Sequence, residues 1–452
     1  MSDLVAPNSS SPNDNVGLVS LTEWLNYMQQ IHVSAIDMGL SRVLPVAEAL
    51  GVVKSAKDDA YVFTVAGTNG KGSTTAVIAE MCKAAGYKTA LYQSPHLSVF
   101  NERVRINGEM VSDETLIDAF SKVEAARLEC DLTLSFFEMT TLAALLIFAE
   151  ADCDVWVLEV GLGGRLDVVN IIDPDMAVIT NIGIDHVDWL GDNVEDIGRE
   201  KAGILRQGIS LVYGAIEMPS SVQHAIDNKQ ATCYQIGQDF SYRDIDSMIW
   251  QYSNAAVTLQ LPCPALSLTN TANALSAVLA SPLKVDVSAI EQALQTVKLA
   301  GRFDYRESHH RHWLFDVAHN EQGVEFLLAQ LLPFWHQHLS KHGSQADRDL
   351  PKIKMLFSML GDKDIDKVVQ RLTQAGLPIS DWFIAEIDYP RAASTEQLQG
   401  VLAKYIDTRH VHDFDGLQAA TEAVIQASQP QDLIVVCGSF HTIGEALAAL
   451  AV

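Results

Sequence analysis

The chain is predicted to be α/β, with a doubly wound, mostly parallel sheet carrying a glycine-rich phosphate loop and a second, smaller α/β domain after it. Three observations predict it. Short, nearly all-apolar runs such as Tyr61–Gly67 and Asp154–Val160 read as strands buried on both faces. These runs alternate with longer helical stretches, which is the strand–helix–strand order a parallel sheet requires. A length of 452 residues exceeds what one ordinary core holds, so two domains are expected.

Residues 1–17 are polar and expected to be disordered. Leu21–Leu50 reads as helical, with a break around Asp37–Gly39. Tyr61–Gly67 is the first strand, Thr74–Ala85 a helix ended by Gly86, and Lys88–Gln93 the next strand. Helices follow at Asp113–Glu129 and Glu138–Ala151, then strands at Asp154–Val160 and Met176–Ile182. Ser210–Leu261 weakens into short strand-like pieces before a helix at Asn270–Leu279. The boundary is placed at Leu299–Arg302, giving domains over 18–299 and 300–452. In the second, strands at His312–Val317, Ile353–Ser358, Trp382–Ala385 and Leu433–Cys437 alternate with helices, one starting at Glu321, and predict a smaller Rossmann-like α/β domain. In such sheets the functional groups gather at the carboxyl ends of the strands.

Bulk properties exclude several classes. A formal net charge of −26, with no lysine–arginine block to offset it, excludes nonspecific nucleic-acid binding. The six cysteines are scattered without a C-x-x-C pair, which disfavours zinc and a disulfide framework. The opening residues lack an apolar signal core and Leu142–Ala149 is too short to span a bilayer. A cytoplasmic protein without membrane partners is expected.

Val62–Ser73, VFTVAGTNGKGS, carries the most chemistry. A buried strand runs into Gly67, Thr68, Asn69, Gly70, Lys71, Gly72 and Ser73 and then a helix, so backbone N–H groups, a helix N-terminus and a lysine converge on one point. A nucleoside triphosphate is the natural guest. The loop departs from the usual P-loop, because two residues separate Gly67 from Gly70 and Gly72 stands where a metal-binding hydroxyl normally follows the lysine. The metal ligand must come from elsewhere.

Glu159 is one source, a carboxylate near the end of a strand so apolar that it needs a cation or strong donors. His186, after Thr180–Asp185, and Ser94, in Gln93–Leu97, leave the ends of other strands, and the three together suit Mg²⁺. Singly, a cap explains Ser94 and a structural hydrogen bond explains His186. Gly161–Gly164 does not complete a dinucleotide fingerprint, since Leu166 occupies the third glycine position. Arg165 and Asp167 on that loop are placed to hold a substrate, with a surface salt bridge as the equal alternative. Lys201 follows His186 by fifteen residues on a predicted helix, where spacing alone favours a solvated surface lysine. Arg302 and Asp316, from the second domain, are placed to close over the nucleotide.

Taken together, GTNGKGS, SPHL, LEVGLGGRLD, IDHVDWLG, GREKAGI, GRF, DVAHN and GSFHT resemble the folylpolyglutamate synthase and dihydrofolate synthase family, related to the Mur ligases. Trp24-Leu25, Ile36–Leu40 and Ser135–Glu138 look most like the bacterial bifunctional form, which also accepts dihydropteroate. The resemblance implies ATP-dependent ligation of a carboxylate to the amine of L-glutamate through an acyl phosphate, with dihydropteroate and reduced folates as acids. It implies that Thr68 through Lys71 hold ATP phosphates, that Ser94, Glu159 and His186 bind Mg²⁺, and that Lys201 is carboxylated by CO₂ and helps hold a second magnesium. Lys71, Glu159, His186 and Lys201 are then the catalytic set.

By the same resemblance Asn270, Arg302 and Asp316 meet the nucleotide, although Asn273 offers a second asparagine for adenine. His319 and Ser439 face the incoming glutamate, and Asp37, Met38, Ser135, Phe137, Arg165, Leu166 and Asp167 contact the pterin. A monomer is implied. The rival readings are a folylpolyglutamate synthase without dihydropteroate activity, another Mur-type amino-acid ligase, and a nucleotide switch protein.

Overall fold

The computed structural model describes residues 18–31, 39–246, 248–343 and 350–451. The expectation of disorder over 1–17, and the predicted pterin contacts Asp37 and Met38, lie outside the described residues.

The first sheet contains β1 (Tyr61–Ala66), β2 (Thr89–Tyr92), β3 (Val104–Ile106), β4 (Glu109–Met110), β5 (Val155–Glu159), β6 (Met176–Ile179), β7 (Ser210–Tyr213) and β8 (Thr232–Gln235). Its order is β4-β3-β2-β5-β1-β6-β7-β8. The pairings from β2 through to β8 are parallel, and β3 and β4 join antiparallel at one edge. The carboxyl ends of β2, β5, β1 and β6 are therefore neighbours, and the phosphate loop leaves β1 among them.

Alternate residues explain why these strands read as nearly continuous apolar text. Trp156 and Leu158 of β5 enter the core on one face, beside Phe120 and Leu145. Val155 and Val157 enter the core on the other, beside Val77, Leu275 and Leu294. A sheet covered by helices on both sides has no polar face to show. β9 (Phe240–Asp244), β10 (Ile249–Asn254) and β11 (Thr258–Pro262) form a separate antiparallel sheet whose Trp250, Tyr252 and Leu261 extend the second of these cores.

The last sheet contains β12 (Asp304–Ser308), β13 (Arg311–Asp316), β14 (Ile353–Phe357), β15 (Ile379–Ala385), β16 (Val411–Phe414) and β17 (Leu433–Cys437), in the order β12-β13-β17-β14-β15-β16. It too is parallel apart from the antiparallel edge strand β12. The α/β class and the mostly parallel sheets are as predicted.

The helix after the phosphate loop begins at Lys71 rather than Thr74, because Gly70 takes a left-handed conformation and caps it. Asp113–Glu129 falls on its predicted residues. The reading also leaves out the helix Val287–Thr296, despite its buried Ala289, Ile290, Ala293 and Leu294, and two others, Val52–Asp59 and Ser220–Lys229, bury two residues each. The last two are short and polar and leave almost no apolar stripe to read. Among the described residues no helix is long and apolar enough to cross a membrane.

Trp156 is 1% exposed and packs edge-on against Phe148. Trp156→Ala is expected to cost about 3–5 kcal/mol, seen as a lowered urea midpoint; an unchanged midpoint would contradict this account of the core.

Candidate active site

The glycine-rich loop is tied to its neighbours by hydrogen bonds on both sides. The Thr180 hydroxyl and the Asn181 amide donate to the Asn69 carbonyl at 2.6 and 3.0 Å, tying the loop to the end of β6. The Lys71 ammonium folds back to donate to the carbonyls of Gly67 (3.0 Å) and Thr68 (3.3 Å). A Cβ at Gly70 would overlap the Asn270 side chain, so the loop and the helix Leu268–Ala280 approach as closely as glycine allows.

Thr68 to Ser73, Ser94, Glu159 and His186 all line one cleft. Glu159 is 4% exposed at the end of β5. Burial pushes its carboxyl up to about 7, while the Lys71 and Arg302 charges and a backbone hydrogen bond from Ser94 pull the other way. Among the described residues no cation stands within ion-pair distance of it, and no three His, Cys, Asp or Glu side chains make a ready metal cage. A buried carboxylate with a hydroxyl and an imidazole beside a polyphosphate loop fits Mg²⁺, which takes few protein ligands and fills the rest with water and phosphate oxygen.

Lys201 corrects the spacing argument. It lies on the helix Val194–Ala202, is 4% exposed, and donates to the Gly67 carbonyl at 2.9 Å. Burial, with the Lys71 charge adding to it, lowers its ammonium to about 7. It is an interior amine beneath the phosphate loop and not a surface lysine.

The facing wall comes from the second half of the chain. Arg302 lies over the Phe440 ring at 4.7 Å, and its Nη1 is buried without a partner. Such a donor calls for a ligand acceptor. Asp316 accepts from the backbone N–H groups of Phe303 and Ala318, both at 2.9 Å. Asn270 lines the cleft, whereas Asn273 is fully buried against Gly214. The Asp185 carboxylate receives the Lys363 ammonium at 2.5 Å and the Asn320 amide at 3.2 Å, with His319 Nε2 at 3.4 Å. Burial opposes its charge, but the His319 and Lys363 contacts outweigh that and hold the carboxyl far below its ordinary range.

A second cavity opens onto the cleft, sharing Ser94, Gly161, His186, His319 and Phe440 with it. The residues predicted for the pterin side, Ser135, Phe137, Leu166 and Asp167, line this cavity together with Ser439. Burial raises Asp167 to about 6, against hydrogen bonds from the N–H groups of Leu162, Val169 and Gly161. Arg165 does not join them. Its guanidinium pairs with Glu200 at 2.8 Å and lines a different depression on the surface, which is the salt-bridge alternative. Sequence reading gave no role to Asp185, Lys363, Phe440 or Arg103. Asp185 stood beside His186 in a quoted motif, while Lys363 sits in a loop with no signature.

Comparison with known proteins decides the family. The Mur ligase middle domain model matches residues 65–281, and the Mur ligase glutamate ligase domain model matches 301–440. The Escherichia coli (strain K12) dihydrofolate synthase/folylpolyglutamate synthase is 39% identical over 445 residues, covering 98% of this chain and 97% of that protein. The chain belongs to the dihydrofolate synthase/folylpolyglutamate synthase family. Among solved members, E. coli FolC in complex with DHPP and ADP superposes with a TM-score of 0.86 at 38% identity, covering 96% of this chain and 98% of that one. The bifunctional enzyme from Yersinia pestis, complexed with AMPPNP and Mn ion, gives 0.85 at 37% identity over 96% and 98%.

In metal-free protein the Glu159 carboxyl, assigned in ¹³C spectra by its loss in Glu159→Gln, should titrate near 7. Because the Lys71 cation favours the carboxylate, Lys71→Met should move that midpoint higher. A midpoint in the ordinary glutamate range near 4.5 would contradict the burial described here.

Proposed function

We propose that this chain is a bifunctional ATP- and Mg²⁺-dependent ligase that joins L-glutamate to dihydropteroate, giving dihydrofolate, and to the glutamate tail of reduced folates. The observation that carries the reading is the junction of the two cavities at Ser94, Gly161, His186, His319 and Phe440. An acid bound in one cavity presents its carboxylate to the terminal phosphate of a nucleotide bound in the other. The relatives named above carry both activities in their names, and one neighbour was solved with Mn, AMPPNP and L-glutamate bound.

In this reading residues 18–299 form the nucleotide-binding domain and 300–452 the domain that closes over it. The loop N–H groups and Lys71 grip the phosphates, and Asn270, Arg302 and Asp316 hold the nucleoside side. Ser94, Glu159 and His186 would hold Mg²⁺, which when bound offsets phosphate charge during transfer. The substrate carboxylate oxygen attacks the γ-phosphorus and ADP departs. The glutamate amine then attacks the acyl carbon of the acyl phosphate and inorganic phosphate departs. His319 and Ser439 face the entering glutamate, and closure keeps water from the acyl phosphate.

Lys201 fits carboxylation. An ammonium lowered to about 7 is substantially free amine at neutral pH, and its nitrogen adds to CO₂ with loss of one proton to give a carbamate. That anion beneath Lys71 would balance the cations around it and help hold a second magnesium. A cytoplasmic monomer acting on small-molecule substrates completes the proposal.

ADP release should require both a pteroate-type acid and glutamate; brisk ADP release with ATP alone would sink the ligase reading. Glu159→Gln should lower kcat at least about 100-fold with the fold retained by circular dichroism. Protein equilibrated with ¹³CO₂ should show a carbamate resonance that Lys201→Met abolishes, and a spectrum without it would remove the modified lysine from the mechanism.

A further inference from the structure

Three cations outside the nucleotide cleft line the second cavity, and two of them are already neutralised. Lys363 is bound to Asp185, and Arg391 pairs with Asp362 at 2.8 Å. The third is Arg103, 9% exposed at the end of the short helical turn Phe100–Arg103. Among the described residues no carboxylate stands within ion-pair distance of it. Its neighbour Glu102 is turned away, accepting from the backbone N–H groups of Leu97, Ser98 and Val99. The acids on the same cavity are occupied as well, Glu138 by Arg42 at 2.7 Å and Asp167 by backbone N–H groups.

The Arg103 guanidinium is aimed rather than loose. Its Nε–H donates to His96 Nδ1 at 2.9 Å, which requires the imidazole to accept there and so to be neutral. The guanidinium also lies 5.3 Å from the centre of the Phe100 ring. Besides His96, the Tyr92 hydroxyl is the hydrogen-bonding side chain that faces it. The Glu102 and Glu159 charges act on it only from beyond ion-pair distance, and a buried guanidinium whose hydrogen-bond partners are neutral is an unfavourable arrangement unless a ligand supplies a close anion. The wall around it is apolar, formed by Phe137, Leu162, Leu166, Val168 and Trp189, so the site joins a flat hydrophobic body to one negative charge.

We infer that Arg103, oriented by His96, receives the reacting carboxylate of the acid substrate in the second cavity. This deepens the ligase reading and rests on it. The terminal N–H groups of the fork bind the carboxylate in two parallel hydrogen bonds and hold it at the mouth of the nucleotide cleft, where Ser94 and His186 line both spaces. His96 is a positioning residue that fixes the plane of the fork.

Calorimetry of full-length protein with Mg²⁺ and AMPPNP, titrated with pteroic acid, with its neutral carboxamide and with folate monoglutamate, tests the inference without turnover. Arg103→Met should weaken pteroic acid and folate about 10- to 100-fold, the range for charged hydrogen bonds, and leave the carboxamide within about threefold. Arg103→Lys, which keeps the charge and loses the fork, should fall between. His96→Leu should weaken the acid in the same direction, and His96→Gln, which retains an acceptor, should restore it. Unchanged AMPPNP binding reports that each variant is folded. Equal losses for acid and carboxamide would overturn the inference, as would no loss in either Arg103→Met or Arg103→Lys. A loss confined to folate would place Arg103 on the tail carboxylate and overturn its assignment to the reacting one. Failure of the wild-type protein to bind pteroic acid would instead count against the ligase reading.

Discussion

Charge is buried at the carboxyl ends of β1 and β5, and the rest of the molecule is arranged around that constraint. Glu159 and Lys201 are almost wholly buried and Lys71, which lines a cavity with each of them, is half-buried; burial moves all three toward their neutral forms. None is left to itself. The two ammonium groups donate to the carbonyls of Gly67 and Thr68, and the Lys71 charge favours the Glu159 carboxylate. Isolated buried charges are strongly unfavourable, whereas charges placed against one another and against backbone carbonyls offset part of that cost. The two-sided helical cover of the sheet makes this possible, because it keeps solvent off the strands while their ends stay open.

The second lobe meets this centre by supplying donors to an acid of the first. Lys363, His319 and Asn320 converge on Asp185, next to His186, while Asn320 and Gln322 also bond Asn69 of the phosphate loop. The loop that carries the imidazole and the glycine-rich loop are thus both fastened to residues around 320. Displacement of the residues around 320 would release both loops at once.

The strands were legible because a sheet buried on both faces writes itself as uninterrupted apolar text, and β1, β5, β14 and β17 were read nearly to their ends. The phosphate loop was legible because glycine, lysine and a preceding strand have few other reasons to coincide. The helices Val52–Asp59 and Ser220–Lys229 were not, since two buried side chains apiece leave no periodic stripe. At the site, Lys201 was misjudged from spacing: its burial comes from the packing of Val194–Ala202 under the loop, which is a tertiary fact. Arg165 and Leu166 show the opposite limit. Adjacent residues on one loop point to different surfaces, the arginine to Glu200 and the leucine into the cavity, and no local pattern distinguishes them. The Arg103 fork and the Lys363 tether escaped for the same reason, the one being defined by the lack of an acid beside it and the other by a partner distant in the chain.

A chain of formal charge −26 that handles a nucleotide, an acid and glutamate must attract anions against its own exterior. The resolution lies in where the signs are placed. Lys71, Arg302, Lys363 and Arg103 line the joined cavities. Exposed carboxylates more than about 8 Å away are screened at physiological salt, whereas cations in a poorly solvated cleft are not. The cations of the cleft therefore act on an entering anion at close range, where the screened exterior charges contribute little. The same partition explains why the cations of the second cavity differ in role: those bound to Asp185 and Asp362 hold the walls in place, and the one without an acid partner is left to meet the substrate.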